Sequence, residues 1–281
     1  MTTAILGTGL MGSAAALRLH EQGEDVIAWN RDEQKARGRL QPQVTVIGDL
    51  HDAVNQAATL LLFLSDVMAI EDVLLPLPPE TLAGKTIIQM GTISPNESRD
   101  LLFKIEAAGS QYLEAPVLGS IPEARSGSLL LMVGANSRQF EQQLPLLSLL
   151  GKPRLIGPVG KAAAVKLAMN QMIAGLTASF ALSLNFVLAE GADVAQFMEI
   201  LRESALYAPT FDKKLDKMLS ASYDNPNFPL KHLYKDVELF LSAASEHQLN
   251  TAMLKGVEKI LTDALKQGRG EEDYSALRES I

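Results

Sequence analysis

Within Thr3 to Arg31 the chain runs from a short apolar stretch through a glycine loop, Gly7-Thr8-Gly9-Leu10-Met11-Gly12, to an alanine-rich segment and a second apolar stretch. Few folds accept that order. Residues 3 to 6 read as a buried strand, 13 to 22 as a helix stopped by Gly23, and 25 to 29 as a returning strand. A βαβ unit opened by glycines at this spacing is a dinucleotide fingerprint. The first glycine permits the tight turn, the second lets backbone approach a pyrophosphate, and the third lets the helix pack closely on the sheet. Amides opening the helix at Leu10 then face the diphosphate, where the helix dipole favours negative charge.

The second strand ends in Asn30 and Arg31, with no acid before Asp32. An NAD site usually places a carboxylate there to hold the adenine ribose. A guanidinium instead holds a 2′-phosphate in bidentate fashion. The expected cofactor is therefore NADP(H), although Arg31 by itself also reads as a solvated turn residue.

At 281 residues, 47% hydrophobic and 21% charged, the chain is long enough for two cores. Its formal net charge of −8 argues against nonspecific nucleic-acid binding, which needs basic surface. There is no cysteine, so disulfides, thiolate metal sites and cysteine nucleophiles are excluded. His20, His51, His232 and His247 lack ligand spacing, and no metal is expected. A strand beginning at residue 3 leaves no room for a targeting peptide, and no run reads as a membrane span. The expected location is the cytoplasm.

Up to about residue 160, short apolar runs alternate with amphipathic helices. Candidate strands are Val44 to Ile47, Thr59 to Leu64, Thr86 to Met90, Gln111 to Leu113, Leu129 to Val133 and Arg154 to Ile156. This pattern predicts an α/β fold, a Rossmann-type doubly wound sheet. Beyond Gly160 the strands stop. A long apolar helix over Ala162 to Glu190, ended by Gly191, precedes helices near 193–203, 209–220, 234–247 and 250–267, and then a polar tail. The predicted division is a dinucleotide-binding domain over 1–161 and an all-α substrate and oligomerisation domain over 162–281, built on a long interdomain helix. So apolar a helix needs cover on most faces, which predicts a homodimer or homotetramer.

Lys166 and Asn170 stand four apart near the start of that helix and share a face. An ammonium flanked by Val165, Leu167, Ala168 and Met169 can donate to a carbonyl oxygen while hydride reaches the carbon. Taken alone, Lys166 more readily describes a lysine snorkelling from an amphipathic helix.

Three further segments stand in order with the glycine loop: Glu114-Ala115-Pro116-Val117-Leu118-Gly119-Ser120 with Ala124, Gly127, Ser128 and Leu129; Gly157-Pro158-Val159-Gly160 leading to Lys166 and Asn170; and Phe228-Pro229-Leu230-Lys231-His232-Leu233-Tyr234-Lys235-Asp236. With these four motifs the chain resembles, over nearly its whole length, the β-hydroxyacid dehydrogenase family, 3-hydroxyisobutyrate dehydrogenase-like and nearest the glyoxylate/succinic semialdehyde reductase branch. Members of that family carry a 6-phosphogluconate dehydrogenase-like C-terminal domain. The resemblance implies that Lys166 is the catalytic lysine, with Asn170 beside it and Asp236 an acid able to pair with it. It implies that Leu64 and Ser65 pass the cofactor, that Thr92 lies near the nicotinamide, and that Lys235 is close to the cofactor. Gly119, Ser120 and Lys231 would hold a substrate carboxylate, and Phe228 would wall the aldehyde pocket. Thr92 also suits a helix cap before Pro95, and Lys235-Asp236 a solvated helix start.

Two positions depart from the family pattern. Leu118 replaces a hydroxyl residue that helps hold the substrate carboxylate, and Ala162 replaces a glycine. The expected activity is NADPH-dependent reduction of a small carboxylated aldehyde or keto acid, such as succinic semialdehyde or glyoxylate. Leu118 keeps an imine reductase in view as an alternative, and a non-catalytic NADP-binding scaffold is the reading from another class.

Overall fold

The computed structural model describes residues 1–281, and its first six strands begin within one residue of the apolar runs. In chain order they alternate with helices: β1 (Thr3–Leu6), α1 (Leu10–Glu21), β2 (Val26–Trp29), α2 (Glu33–Leu40), β3 (Thr45–Val46), α3 (Leu50–Gln56), β4 (Thr59–Leu62), α4 (Val67–Leu74), α5 (Pro79–Leu82), β5 (Thr86–Gln89), α6 (Pro95–Ala107) and β6 (Gln111–Glu114). These six strands are parallel in the order β3-β2-β1-β4-β5-β6. That is the dinucleotide-binding order, whose crevice opens beyond the carboxyl ends of the strands.

Parallel strands are covered on both faces, which explains their unbroken apolar character. Alternation then assigns the faces. Ile5, Leu61, Ile88 and Leu113 join Ala14, Ala15, Ala16 and Leu19 of α1 in one core layer. Ala4, Leu6, Leu60, Leu62, Ile87 and Tyr112 point the other way, onto Val54, Ile70, Leu101 and Ile105.

After β6 come β7 (Val117–Leu118), α7 (Ile121–Ser126), β8 (Leu129–Gly134), α8 (Ser137–Leu150) and β9 (Gly151–Gly157). Strand β8 runs antiparallel to β6 and β7 and parallel to β9. The two-residue β7, between Pro116 and Gly119, is too short for a periodicity signal.

The helices that follow are α9 (Lys161–Ala189), α10 (Val194–Glu203), α11 (Pro209–Ser220), α12 (Leu230–Glu246) and α13 (Ala252–Lys266). The chain forms two compact units, Met1–Lys166 and Leu167–Ile281. Their boundary falls inside α9. In the second unit Ala174, Ala178, Ala181 and Leu184 of α9 pack with Phe211, Met218, Leu233, Val237, Leu254 and Leu261. Phe180 stacks on Phe211 at 4.7 Å between ring centroids.

Three expectations change here. Helix α12 starts at Leu230, directly after Pro229, and not at 234. The segment beyond 267 is not a loose polar tail, since Tyr274, Ser275, Ala276 and Leu277 are buried. Asp273 holds it down, taking the Lys214 ammonium at 2.8 and 2.9 Å and the Ser275 amide at 3.1 Å. Finally, α9 is long and apolar enough to cross a membrane by length and composition, with a mean hydropathy of 1.8 in its most apolar window. Its small residues serve the core of the second unit, while Met172, Leu182 and Phe186 are half or more exposed.

Candidate functional site

The glycine loop follows β1, and each glycine has a separate reason to be there. Gly7 has φ of +97°, and a Cβ on it would strike the Phe63 carbonyl. A Cβ on Gly12 would strike the carbonyl oxygen of Gly7, so the helix could not approach the loop. Gly9 differs, because a Cβ there would meet nothing within 4 Å. Packing inside the protein does not require a glycine at 9, but a ligand backed against the loop does. Helix α1 has no side-chain cap and no acid in its first turn, so its opening amides suit an anion. The Thr8 hydroxyl is buried without a hydrogen-bond partner. Leu10 and Met11 begin the helix beside it. These features fit the diphosphate of a dinucleotide.

Asn30 is tied to this loop. Its Oδ1 accepts the Thr8 amide at 3.1 Å, and its Nδ2 donates to the Asp32 carbonyl at 3.0 Å. Arg31 is exposed at the end of β2. A second guanidinium, absent from the sequence expectations, reaches the same place: Arg39 Nη1 donates to the Thr8 carbonyl oxygen at 2.7 Å. Position 39 lies at the far end of α2, and only the folded side chain brings its charge to the loop.

Beyond β4, Leu64 is half-buried, and its carbonyl oxygen would lie 2.7 Å from a Cβ on Gly91. Ser65 donates to Asp66 at 2.7 Å, and Asp66 caps α4. Thr92, half-buried after β5, is not the helix cap. Ser94 takes that role, in a capping box with Glu97. Near Thr92, Gln89 is 1% exposed, and neither atom of its amide finds a partner.

Glu114, at the end of β6, is 1% exposed. Its Oε1 accepts three amides at the start of α9: Gly160 at 2.8 Å, Ala162 at 2.9 Å and Ala163 at 3.1 Å. Its Oε2 takes the Ser98 hydroxyl. Burial pushes the Glu114 carboxyl above its usual range, against the downward pull of Ser98 and the three amides. The turn that follows begins with Leu118, half-buried, and Gly119, with φ of +129°. The Ser120 amide and hydroxyl both donate to Glu123 Oε2, at 2.8 and 2.7 Å. An internal carboxylate thus occupies both donors that Ser120 could offer a substrate.

Lys166 is half-buried on the sixth residue of α9. One turn on, Asn170 is 1% exposed. Its Nδ2 donates to Asp236 Oδ2 at 2.5 Å, while its Oδ1 is buried with no partner. The other Asp236 oxygen lies 3.2 Å from Lys235 Nζ, an ion contact outside hydrogen-bond geometry. Asp236 is buried and Lys235 half-buried in the second turn of α12, so neither is a solvated helix start. Phe228 is half-buried, with its ring edge-on to Tyr274 at 5.8 Å. Lys231 is exposed and paired with Glu271 at 2.5 Å. Between these two positions and Lys235, burial, with help from the Lys231 and Lys235 ammonium groups, holds the His232 imidazole below its usual pKa range.

Residues 2–174 match the family described as the NAD binding domain of 6-phosphogluconate dehydrogenase. Residues 160–281 match that described as NAD-binding of NADP-dependent 3-hydroxyisobutyrate dehydrogenase. The chain is 28% identical to glyoxylate/succinic semialdehyde reductase 1 of Arabidopsis thaliana, covering 100% of this chain and 98% of that protein. It is 30% identical to the chloroplastic glyoxylate/succinic semialdehyde reductase 2 of the same plant, covering 98% and 78%. In fold it is similar to a 3-hydroxyisobutyrate dehydrogenase from Salmonella typhimurium, with a TM-score of 0.89, 19% identity and both chains covered in full.

Proposed function

The chain belongs to the β-hydroxyacid dehydrogenase family, 3-hydroxyisobutyrate dehydrogenase-like, and on that premise we propose that it is an NADPH-dependent reductase of a small carboxylated aldehyde or keto acid. Succinic semialdehyde and glyoxylate are the first candidates, as the names of the two plant relatives suggest. The observation that carries the chemistry is the pair on α9. Lys166 stands one turn before Asn170, whose amide is clamped by Asp236 and whose Oδ1 is left as a buried acceptor.

NADPH, when bound, supplies the hydride for the carbonyl carbon. The loop Gly7 to Gly12 and the opening amides of α1 would hold its diphosphate, and Arg31 would hold the 2′-phosphate. Leu64, Ser65 and Thr92 would line its remaining course, and the family resemblance would give Lys235 a place near it. The Lys166 ammonium donates its proton to the carbonyl oxygen as negative charge develops there. Asn170, its Nδ2 engaged by Asp236, keeps Oδ1 as an acceptor that orients the lysine or the product hydroxyl. Phe228 would wall the aldehyde pocket, as the family resemblance implies.

The turn at 118–120 bears on which acid is preferred. Leu118 has no hydroxyl, and Glu123 engages Ser120. Lys231 is likewise engaged by Glu271. A substrate carboxylate held at these positions therefore has to displace Glu123 or Glu271. Leu118 keeps a second reading in view, a C=N acceptor in place of C=O, against which Lys166 counts. The exposed Met172, Leu182 and Phe186 along α9 support a homo-oligomer in which a second copy covers them.

The test is NADPH oxidation against succinic semialdehyde, glyoxylate and a cyclic imine, with Lys166→Ala beside the native chain. Lys166→Ala is expected to lose about 10²- to 10⁴-fold in kcat, the range for a general acid, with NADPH affinity unchanged. Full turnover by that variant would remove Lys166 from the reaction.

A further inference from the structure

Helix α9 carries Lys166, and the direction of that lysine depends on how the start of the helix is held. The first amides of any α-helix have no partner within the helix, and a long helix with an unanchored start frays there. At α9 these amides are not left to solvent. Glu114, from the end of β6, accepts the amides of Gly160, Ala162 and Ala163 on one oxygen. Lys166 lies in the next turn, where the amide of an α-helical residue donates to the carbonyl four residues back. For Lys166 that carbonyl belongs to Ala162, one of the residues Glu114 holds.

The surroundings are shaped around this carboxylate. Gly134 faces Glu114 across the β6–β8 pairing, and a Cβ on Gly134 would overlap Glu114 Oε1. Gly160 has φ of +92°, and a Cβ there would strike Arg99 Nη1 and lie 3.2 Å from the Pro95 carbonyl oxygen. The second carboxylate oxygen is held by Ser98, which in turn pairs with the Tyr112 hydroxyl at 3.0 Å. Ser98 and Tyr112 are themselves fully buried.

We propose that Glu114 is a positioning residue for the reaction: by seating the start of α9 on the end of the sheet it fixes where the Lys166 ammonium stands. The inference rests on the reading of Lys166 as proton donor, but its mechanical half does not. What the helix start requires is an acceptor oxygen. A glutamine at 114 keeps Oε1 for the three amides and can donate from Nε2 to Ser98, whereas alanine supplies nothing.

The experiment compares Glu114→Gln and Glu114→Ala in the full chain by three readouts. The first, independent of substrate, is hydrogen exchange. Glu114→Ala is expected to lose protection over residues 161–166 while the sheet keeps it, and Glu114→Gln to retain it. The second is kinetic. A misplacement of about 1 Å at the reacting groups costs on the order of 100-fold, so Glu114→Ala is expected to lose about 100-fold in kcat with KM for the carbonyl substrate nearly unchanged, and Glu114→Gln to stay within a few-fold of native. The third is NADPH affinity, expected to be unchanged in both variants.

Unchanged exchange at 161–166 in Glu114→Ala overturns the proposal. So does a Glu114→Gln variant that exchanges and turns over as poorly as Glu114→Ala, because a lost core group, not a lost acceptor, would then explain both. If Glu114→Ala does not fold, Gly134→Ala takes its place, displacing the carboxylate without deleting it, and the same exchange pattern is expected. Should Lys166→Ala keep full activity while the exchange results hold, the reading of Lys166 fails and the seating of α9 by Glu114 stands.

Discussion

Removal of Glu123 tests how the chain chooses its substrate. Glu123 is half-buried and its Oε2 takes both the amide and the hydroxyl of Ser120. A substrate carboxylate at the same turn would compete for those donors and lie about 5 Å from a like charge. At an effective dielectric of about 20, the repulsion is about 3 kcal/mol. Solvent at this partly open position reduces it to about 1–2 kcal/mol, worth about 5- to 30-fold in rate at the conversion of about 1.4 kcal/mol per tenfold. Glu123→Gln removes the charge but keeps an acceptor for Ser120. Glu123→Ala removes both, at a cost of about 1 kcal/mol in the cap of α7.

The assay is kcat/KM for glyoxylate divided by kcat/KM for its neutral methyl ester, followed by NADPH absorbance at fixed ionic strength. The ratio is expected to rise by about 5- to 30-fold in Glu123→Gln and further in Glu123→Ala, with turnover of the ester nearly constant. A ratio that stays at the native value in both variants would refute the argument, and the substrate carboxylate would then have to be held away from Ser120.

Two further outcomes are expected. Arg31→Ala should weaken NADPH binding by about 10- to 100-fold, the worth of a charge-assisted hydrogen bond of about 1.5–3 kcal/mol, and leave NADH binding unchanged; an equal loss for both cofactors, read by fluorescence titration, would place the guanidinium away from the 2′-phosphate. His232 has its folded-state pKa held below the ordinary imidazole value of 6.5. The unfolded chain therefore binds the proton more readily, so this contribution to stability is present above pH 6.5 and is lost as pH falls through the folded pKa. His232→Gln should flatten that part of the melting-temperature profile between pH 7.5 and 5, and an unaltered slope would show that other groups set it.

Much of the fold was legible in the chain because its signals are local. The buried parallel strands are continuous apolar runs, and the glycine spacing of the loop shows in the sequence, although what forbids a side chain at Gly7 is the Phe63 carbonyl, 56 residues on. The Ser120-x-x-Glu123 spacing is a capping-box signature and could have been read from the sequence. It would have disclosed that the Ser120 donors are engaged. The start of α12 was missed because Lys231 to Tyr234 carry mixed polarity, although Pro229 marks the boundary. The buried C-terminal segment was missed because its polar residues, Asp273 above all, find their partners in Lys214, 59 residues earlier.

The dinucleotide loop, the strand-to-helix change after residue 160 and the shared face of Lys166 and Asn170 are written in the chain, since each follows from short-range periodicity and φ preference. Tertiary structure alone decided that Glu114 seats the helix start 46 to 49 residues away, that Asp236 clamps Asn170 across 66, and that Arg39 reaches Thr8 across 31. The physical reason is that a buried polar group must find a partner, and in a folded chain that partner is set by which strand ends and helix starts converge, which no local pattern encodes.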